Sequence, residues 1–355
     1  MLSAGSSRRV EITKKEHLQK ESLVSRNGAI LLEEVIKSAG CKYNPYRIFS
    51  KKELEIATNY YDNDRILKED GYYALYMGIH EERKISVKKF HEDHKYIIFS
   101  EIIDDFVISL QIRNHKNVME VLGCCLETKI PILVYEYPVN KNFSNLLHEK
   151  SVTKENRPPI LSFESKLRIA TEIADAVTYM HIATSTPIIH RDIKSCNIFL
   201  GEQNVVKLFG FDLSLKIPSG EEDVETNMSR TIGTIGYIAP ECMSGQPITE
   251  KCDVYGFGST LIEILTEMTP WAFKRWLRLE DSSNVVSDAG GSDLYFSKEQ
   301  VFEVSLKRNI LGEGEIKQVM ACITLAWECR KDNPTERPSI KEVTEELRRI
   351  KTITG

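Results

Sequence analysis

The chain has no apolar run near the ~18–20 residues that a membrane-spanning helix needs, so no transmembrane segment is expected. The opening stretch MLSAGSSRRVEITKKEHLQKE lacks the apolar core of a signal peptide. Position 2 is Leu rather than Gly, so N-myristoylation is not expected either. The eight cysteines contain no C-x-x-C pair, and Cys124-Cys125 is the one cluster. That spacing points to reduced thiols in a reducing compartment rather than to a disulfide framework or a metal site. Basic charge is not in excess: 47 Lys and Arg face 52 Asp and Glu, for a net charge of −5. A nucleic-acid partner is therefore not expected. No internal repeat is present, which argues against a solenoid. What remains is a chain of 355 residues, 41% hydrophobic, long enough for one two-lobed domain or two ordinary domains.

Residues 1–27 are polar and rich in Lys, Arg, Ser and Glu, and predict a mobile arm. The stretch GAILLEEVIKSAG follows, within a helix-and-linker region over 28–48. It predicts an amphipathic helix with Leu31, Leu32, Val35 and Ile36 on one face, stopped near Gly40. Such a helix can dock on its own domain or on a partner. From Phe49 to about 137, KISVKKF and PILVYEY read as strands, with one helix between them. From about 160 onward the pattern is helical, within a larger part that spans 138–350. In SFESKLRIATEIADAVTYMH, Leu167, Ala170, Ile173, Ala174, Val177 and Met180 recur with the 3.6-residue period. Stretches near 148–160 and 279–296 read as surface loops. A small β-rich part before a larger helical part is an α+β layout in two lobes.

The stretch IIHRDIKSCNIFL contains His190-Arg191-Asp192, with Asn197 five residues beyond the Asp. This resembles the catalytic loop of protein kinases, H-R-D-x-x-x-x-N. Other kinase signatures follow in the family's order. ISVKKF resembles the strand that carries the phosphate-binding lysine, here Lys88. GTIGYIAPE resembles the end of an activation segment, with Glu241 in its A-P-E. DVYGFG resembles the helix whose first Asp, here Asp253, is buried, and Arg337 in ERPS matches the arginine that pairs with that Glu. The resemblance spans about 49–350 and implies a bilobal protein kinase fold of α+β class.

The machinery implied by that resemblance is incomplete. Aligned on the strand that follows, the three glycines of the phosphate loop become Lys68, Asp70 and Tyr73. Glycine lets backbone approach phosphate without a Cβ in the way. Asp70 adds a negative charge and Tyr73 adds bulk. The helix Glu that partners the lysine becomes Asp105, one methylene shorter, while Glu101 lies one turn earlier on the same face. Either acid can pair with Lys88. In the hinge, Pro138 stands two residues after Glu136, where the backbone N–H donates to adenine. Losing that bond costs about 0.5–1.5 kcal/mol. Asp192, the base, and Asn197, a magnesium ligand, are retained.

The second magnesium ligand is the Asp of D-F-G, thirteen residues past that Asn, and position 210 is Gly. Glycine offers no side-chain oxygen to a cation that wants oxygen ligands. Asp212 stands two residues on, on the same side of an extended segment but displaced by about 6–7 Å at ~3.3 Å per residue. The chain between Asn197 and Gly210 has the usual length, and Phe211 keeps the place of the family's Phe. The register is therefore expected to be unshifted. No cofactor is expected to be required: ATP would bind weakly, at a degraded Mg2+ site.

FSKKELEIATNYYDNDRIL, GCCLETKIPILVYEY and TLAWECRKDNPTERPS look like plant receptor-like kinases. RNGAILLEEVIKSAGCKYNPYRIFS resembles a small family of receptor-like cytoplasmic pseudokinases that serve as adaptors for a coiled-coil NLR immune receptor. The resemblance implies a signalling scaffold in plant innate immunity, without required catalysis. It would bind the leucine-rich-repeat region of the receptor and a second cytoplasmic kinase altered by a pathogen effector. The location implied is the cytoplasm, with recruitment to the plasma membrane through partners. The alternative is a weak or atypical Ser/Thr kinase, since HRDIK resembles the Ser/Thr branch. The activation segment holds candidate phosphorylation sites at Ser219, Thr226, Ser229, Thr231 and Thr234, which Arg191 would order.

Overall fold

The computed structural model describes residues 20–35, 46–92, 99–140, 142–148, 161–218, 220–224, 233–280, 297–308 and 311–353. The chain forms two compact units. One comprises Met1–Asn114 with Met119–Pro138, the other His115–Val118 with Val139–Gly355.

The first unit is a six-stranded sheet of β1 (Arg47–Ile48), β2 (Ile66–Glu69), β3 (Tyr73–His80), β4 (Arg83–Phe90), β5 (Val121–Cys125) and β6 (Ile132–Glu136). The spatial order is β1-β5-β6-β4-β3-β2. β1 runs parallel to β5, and the other pairs are antiparallel. β4 is interior, flanked by β3 and β6. Its Ile85 and Val87 join a core with Phe49, Leu54, Ala57, Cys125, Ile132 and Val134. Lys88 on the same strand is also fully buried. Gly123 permits β1 to lie beside β5, because a Cβ there would stand 1.9 Å from the Arg47 carbonyl oxygen.

Among the described residues, three α-helices belong to this unit: α1 (residues 20–35), α2 (Lys51–Ala57) and α3 (Phe99–Ile112). A capping box between Ser50 and Glu53 starts α2, and those bonds bring the Glu53 carboxyl down to about 2. α1 corrects two expectations. It reaches back to residue 20, into the stretch read as a mobile arm. Asn27 explains this: its Nδ2 donates to the Leu126 and Thr128 carbonyls at 3.0 and 3.1 Å, and Lys20 pairs with Glu127. The helix therefore docks on its own unit. Leu31 is buried there, but the adjacent Leu32 is 60% exposed, so the two do not share a face. Ile36 and Gly40 lie outside the described residues.

The second unit is helical: α4 (Phe143–His148), α5 (Phe163–Thr178), α6 (Pro240–Ser244), α7 (Lys251–Thr266), α8 (Pro270–Glu280), α9 (Lys298–Arg308), α10 (Glu313–Cys329) and α11 (Ile340–Lys351). The six apolar residues that set the period of α5 and its continuation are all buried. α11 packs on α5, and α10 on α7. α7 is buried nearly all round and serves as the unit's central post. Two small ladders carry the loops of interest: β7 (Ile188–Ile189) with β10 (Leu215–Lys216), and β8 (Ile198–Leu200) with β9 (Val206–Leu208). α8 extends through residue 280, past the expected start of a loop at 279. Residues 149–160 and 281–296 lie outside the described residues. No described helix is long and apolar enough to cross a membrane.

Candidate functional site

In the first unit, Lys88 Nζ lies 2.7 Å from Asp105 Oδ2, and both side chains are wholly buried. Asp105 thus meets Lys88 directly. Its shorter side chain suffices because two hydroxyls hold its other oxygen. Asp105 Oδ1 accepts from Tyr135 Oη at 3.0 Å and from Ser109 Oγ at 3.3 Å. A buried pair with its remaining lone pairs engaged is the arrangement in which ion-pair attraction offsets desolvation.

The hairpin formed by β2 and β3 carries Lys68, Asp70 and Tyr73 close together. Tyr73 is buried, and its hydroxyl bonds Lys68 Nζ. Lys88 Nζ lies 4.0 Å from the Tyr73 ring centroid. Glu136 at the end of β6 turns back to the sheet, accepting from the Glu120 backbone N–H at 2.9 Å. Pro138 is buried and offers no N–H.

In the second unit, Asp253 near the start of α7 organises the catalytic loop. Its Oδ2 accepts from the His190 backbone N–H and from His181 Nε2, each at 2.8 Å. Its Oδ1 accepts from the Arg191 N–H at 2.8 Å. Burial pushes this carboxyl up, but the His181 bond and the His190 N–H outweigh it, and it lies below the ordinary carboxylate value. Arg191 adopts a left-handed φ of 68°, held there by the Asp253 clamp. Among the described residues its Nε is buried without a hydrogen-bond partner.

Asp192 is almost enclosed. Its Oδ1 accepts from Thr234 Oγ1 at 2.7 Å, and its Oδ2 accepts from Asn197 Nδ2 at 2.8 Å. Lys194 Nζ bridges to Asp192 Oδ2 and to Thr234 Oγ1, both at 2.6 Å. The Thr234 hydroxyl, a candidate phosphorylation site, is engaged inside this network, where a phosphate would confront the Asp192 carboxylate. Ser219, Thr226, Ser229 and Thr231 lie outside the described residues. Lys194 and the role of Thr234 are what sequence reasoning missed. The Lys two positions after the H-R-D Asp was the available signal.

Gly210 follows β9. The Phe209 N–H donates to the Asn197 carbonyl at 2.9 Å, and the Phe209 carbonyl meets His190 Nε2 at 3.2 Å. Phe211 is fully buried, its ring edge-on to His190 at 5.2 Å. These contacts hold the register unshifted, with Asp212 beyond the ring. His190 is pushed to a lower pKa by burial, against the carboxylates of Asp253, Asp192 and Asp212. Its Nδ1 accepts from the Asp192 N–H at 3.2 Å while Nε2 donates to Phe209, which is the neutral tautomer.

Gly210 has a φ of +88°, and a Cβ built on it would stand 3.0 Å from Asn197 Oδ1. No side chain fits there without moving Asn197. Mg2+ seeks near-octahedral oxygen coordination. Position 210 supplies no side-chain oxygen, so Asn197 Oδ1, oriented by Nδ2 donating to Asp192, is the one oxygen that these two positions offer, and among the described residues no cluster of three or more His, Cys, Asp or Glu adds to it. The donor set does not fit the ion, and the buried Tyr73 does not suit a phosphate loop.

Comparison with known proteins agrees with this fold. A protein kinase domain family model matches residues 71–347. The chain is similar to wall-associated receptor kinase-like 1 of Arabidopsis thaliana, at 36% identity over 332 residues, 92% of this chain and 43% of that protein. It is also similar to wall-associated receptor kinase 1 of the same plant, at 33% identity, covering 94% of this chain and 43% of that one. The chain thus spans less than half the length of these receptor kinases. Over 341 residues it is 32% identical to the serine/threonine-protein kinase ZRK1 of Arabidopsis thaliana, covering 95% of each chain. The match across most of the domain, together with the Lys88–Asp105 pair, the Asp253 clamp and the Asp192 network, places this chain in the protein kinase domain family, within the Ser/Thr kinase superfamily.

Proposed function

We propose that this chain is a pseudokinase adaptor in plant innate immunity. It links an NLR receptor, through the leucine-rich repeats, to cytoplasmic kinases modified by pathogen effectors. It works in the cytoplasm and reaches the plasma membrane through its partners. The observation that carries the reading is Gly210: a residue without a side chain, in a left-handed conformation, packed on the one retained magnesium ligand. A kinase fold with this lesion keeps its surfaces and loses the positioned metal that phosphoryl transfer depends on. No cofactor is required for such a role.

The intact Asp192–Lys194–Thr234–Asn197 network favours a second reading, a weak or atypical Ser/Thr kinase. One experiment separates them. Wild type and Asp192→Asn are expressed in leaf tissue with the receptor, and co-purification and cell death are scored. The purified chains are assayed for phosphate transfer with Mg2+ and with Mn2+. The adaptor reading expects equal co-purification and equal cell death, with no transfer by either chain. Transfer by wild type, coupled to loss of cell death in Asp192→Asn, would establish the kinase reading instead.

A further inference from the structure

The three residues at the phosphate-loop positions are bonded to one another. Asp70 Oδ1 accepts from the Tyr72 N–H at 2.9 Å and from the Tyr73 N–H at 3.2 Å. Those are backbone donors of the kind a glycine loop offers to phosphate oxygens. Asp70 Oδ2 lies 3.5 Å from Lys68 Nζ, and Lys68 in turn bonds the Tyr73 hydroxyl and lies 4.7 Å from its ring centroid. The turn is closed by the Asp70 N–H donating to the Tyr73 carbonyl at 3.1 Å. His91 on the opposite strand end secures it, with its N–H on the Tyr72 carbonyl and Nε2 on the Asp70 carbonyl.

Tyr73 stands opposite Phe90 in the ladder, and the two rings meet edge to face at 5.9 Å. Lys88 Nζ lies under both, 4.0 Å from the Tyr73 centroid and 4.9 Å from that of Phe90. The ammonium is wholly buried, with Asp105 as its counter-charge. Aromatic faces compensate a desolvated cation in the way an anion does, by negative charge density directed at it.

We propose that this hairpin is self-ligated: the Asp70 carboxylate occupies the loop's N–H donors, and the Tyr73 ring closes over Lys88. The chain carries its own substitute for a nucleotide phosphate, so the first unit is held closed without nucleotide. The proposal rests on the pseudokinase reading and deepens it. A triphosphate can reach Lys88 only when Tyr73 leaves, and Asp70 then repels it.

The test is acetylation of lysines in the full chain by an N-hydroxysuccinimide ester, read by peptide mass spectrometry. Lys88 in wild type and in Tyr73→Phe should react at least about tenfold more slowly than exposed Lys84, since reaction of a closed site tracks its open population. In Asp70→Gly/Tyr73→Gly, Lys88 should react at least about tenfold faster than in wild type, and ATP in excess EDTA should suppress that gain. ATP should not change the wild-type rate. Wild-type Lys88 reacting as fast as Lys84, or protected by ATP, overturns the proposal. A double variant whose Lys88 reacts no faster than wild type also overturns it. If the double variant does not fold, the wild-type and Tyr73→Phe rates decide by themselves. Phosphate transfer by wild type would sink the adaptor reading, whereas a freely acetylated Lys88 in a chain that transfers nothing would sink the closed hairpin alone.

Discussion

Restoring the missing carboxylate with Gly210→Asp should damage the fold and leave the metal site unrestored. Gly210 sits at φ +88°, and an L-residue in left-handed backbone costs about 1–2 kcal/mol. The new Cβ would lie 3.0, 3.1 and 3.3 Å from Asn197 Oδ1, Cγ and Nδ2. That amide cannot easily give way, because Nδ2 is tied to the Asp192 carbonyl and to Asp192 Oδ2, each at 2.8 Å. Strain and crowding together amount to about 2 kcal/mol, or about 4–8 °C in Tm for a unit of this size. Gly210→Ala should lose nearly as much, since conformation and Cβ, not charge, carry the cost. The assay is thermal unfolding of wild type, Gly210→Ala and Gly210→Asp, with and without Mg-ATP. The reasoning expects both variants below wild type and no Mg-ATP-dependent rise. Unchanged Tm in Gly210→Ala would refute the strain account. A rise of several degrees in Gly210→Asp with Mg-ATP would show that one residue alone separates this site from a working one.

Arg337 and Glu241 form a buried fork, with Nη1–Oε1 at 2.6 Å and Nη2–Oε2 at 2.8 Å. Arg337→Ala should cost about 3–5 kcal/mol by leaving Glu241 buried and uncompensated. A urea midpoint shift equivalent to under about 1 kcal/mol would contradict this. Stability should also fall on acidification from about pH 7 to pH 5, since an unfolded histidine takes up its proton near 6.5. Burial lowers the pKa of His190, and of His115 as well, so over that window the unfolded chain binds protons that the native chain refuses. Urea midpoints that stay flat or rise across the window would exclude that linkage.

Much of the fold was legible because its signals are local. Ile85 and Val87 alternate along β4, and the 3.6-residue period of α5 places all six of its marked residues in the core. The helix at 20–35 was less legible. Its anchor is Asn27, whose partners lie about a hundred residues away, and no periodicity reports that bond. For the same reason Leu31 and Leu32 looked alike in sequence and proved opposite in burial.

Motif order and spacing pointed to the kinase fold, and the resemblance they carry implies a magnesium ligand at position 210, a backbone donor at 138 and glycines at 68, 70 and 73, where this chain has Gly210, Pro138, Lys68, Asp70 and Tyr73. These are statements about which residue stands at which chain position, and chain position is what a sequence specifies. The tertiary structure decided the pairings. It set Asp105 on Lys88, where Tyr135 and Ser109 meet that carboxylate across the packed interior of the unit. It drew Thr234 into the Asp192 network and turned Tyr73 onto Lys88. Each is a contact between side chains distant in sequence, set by helix rotation and strand register, and those are fixed only when the whole core packs.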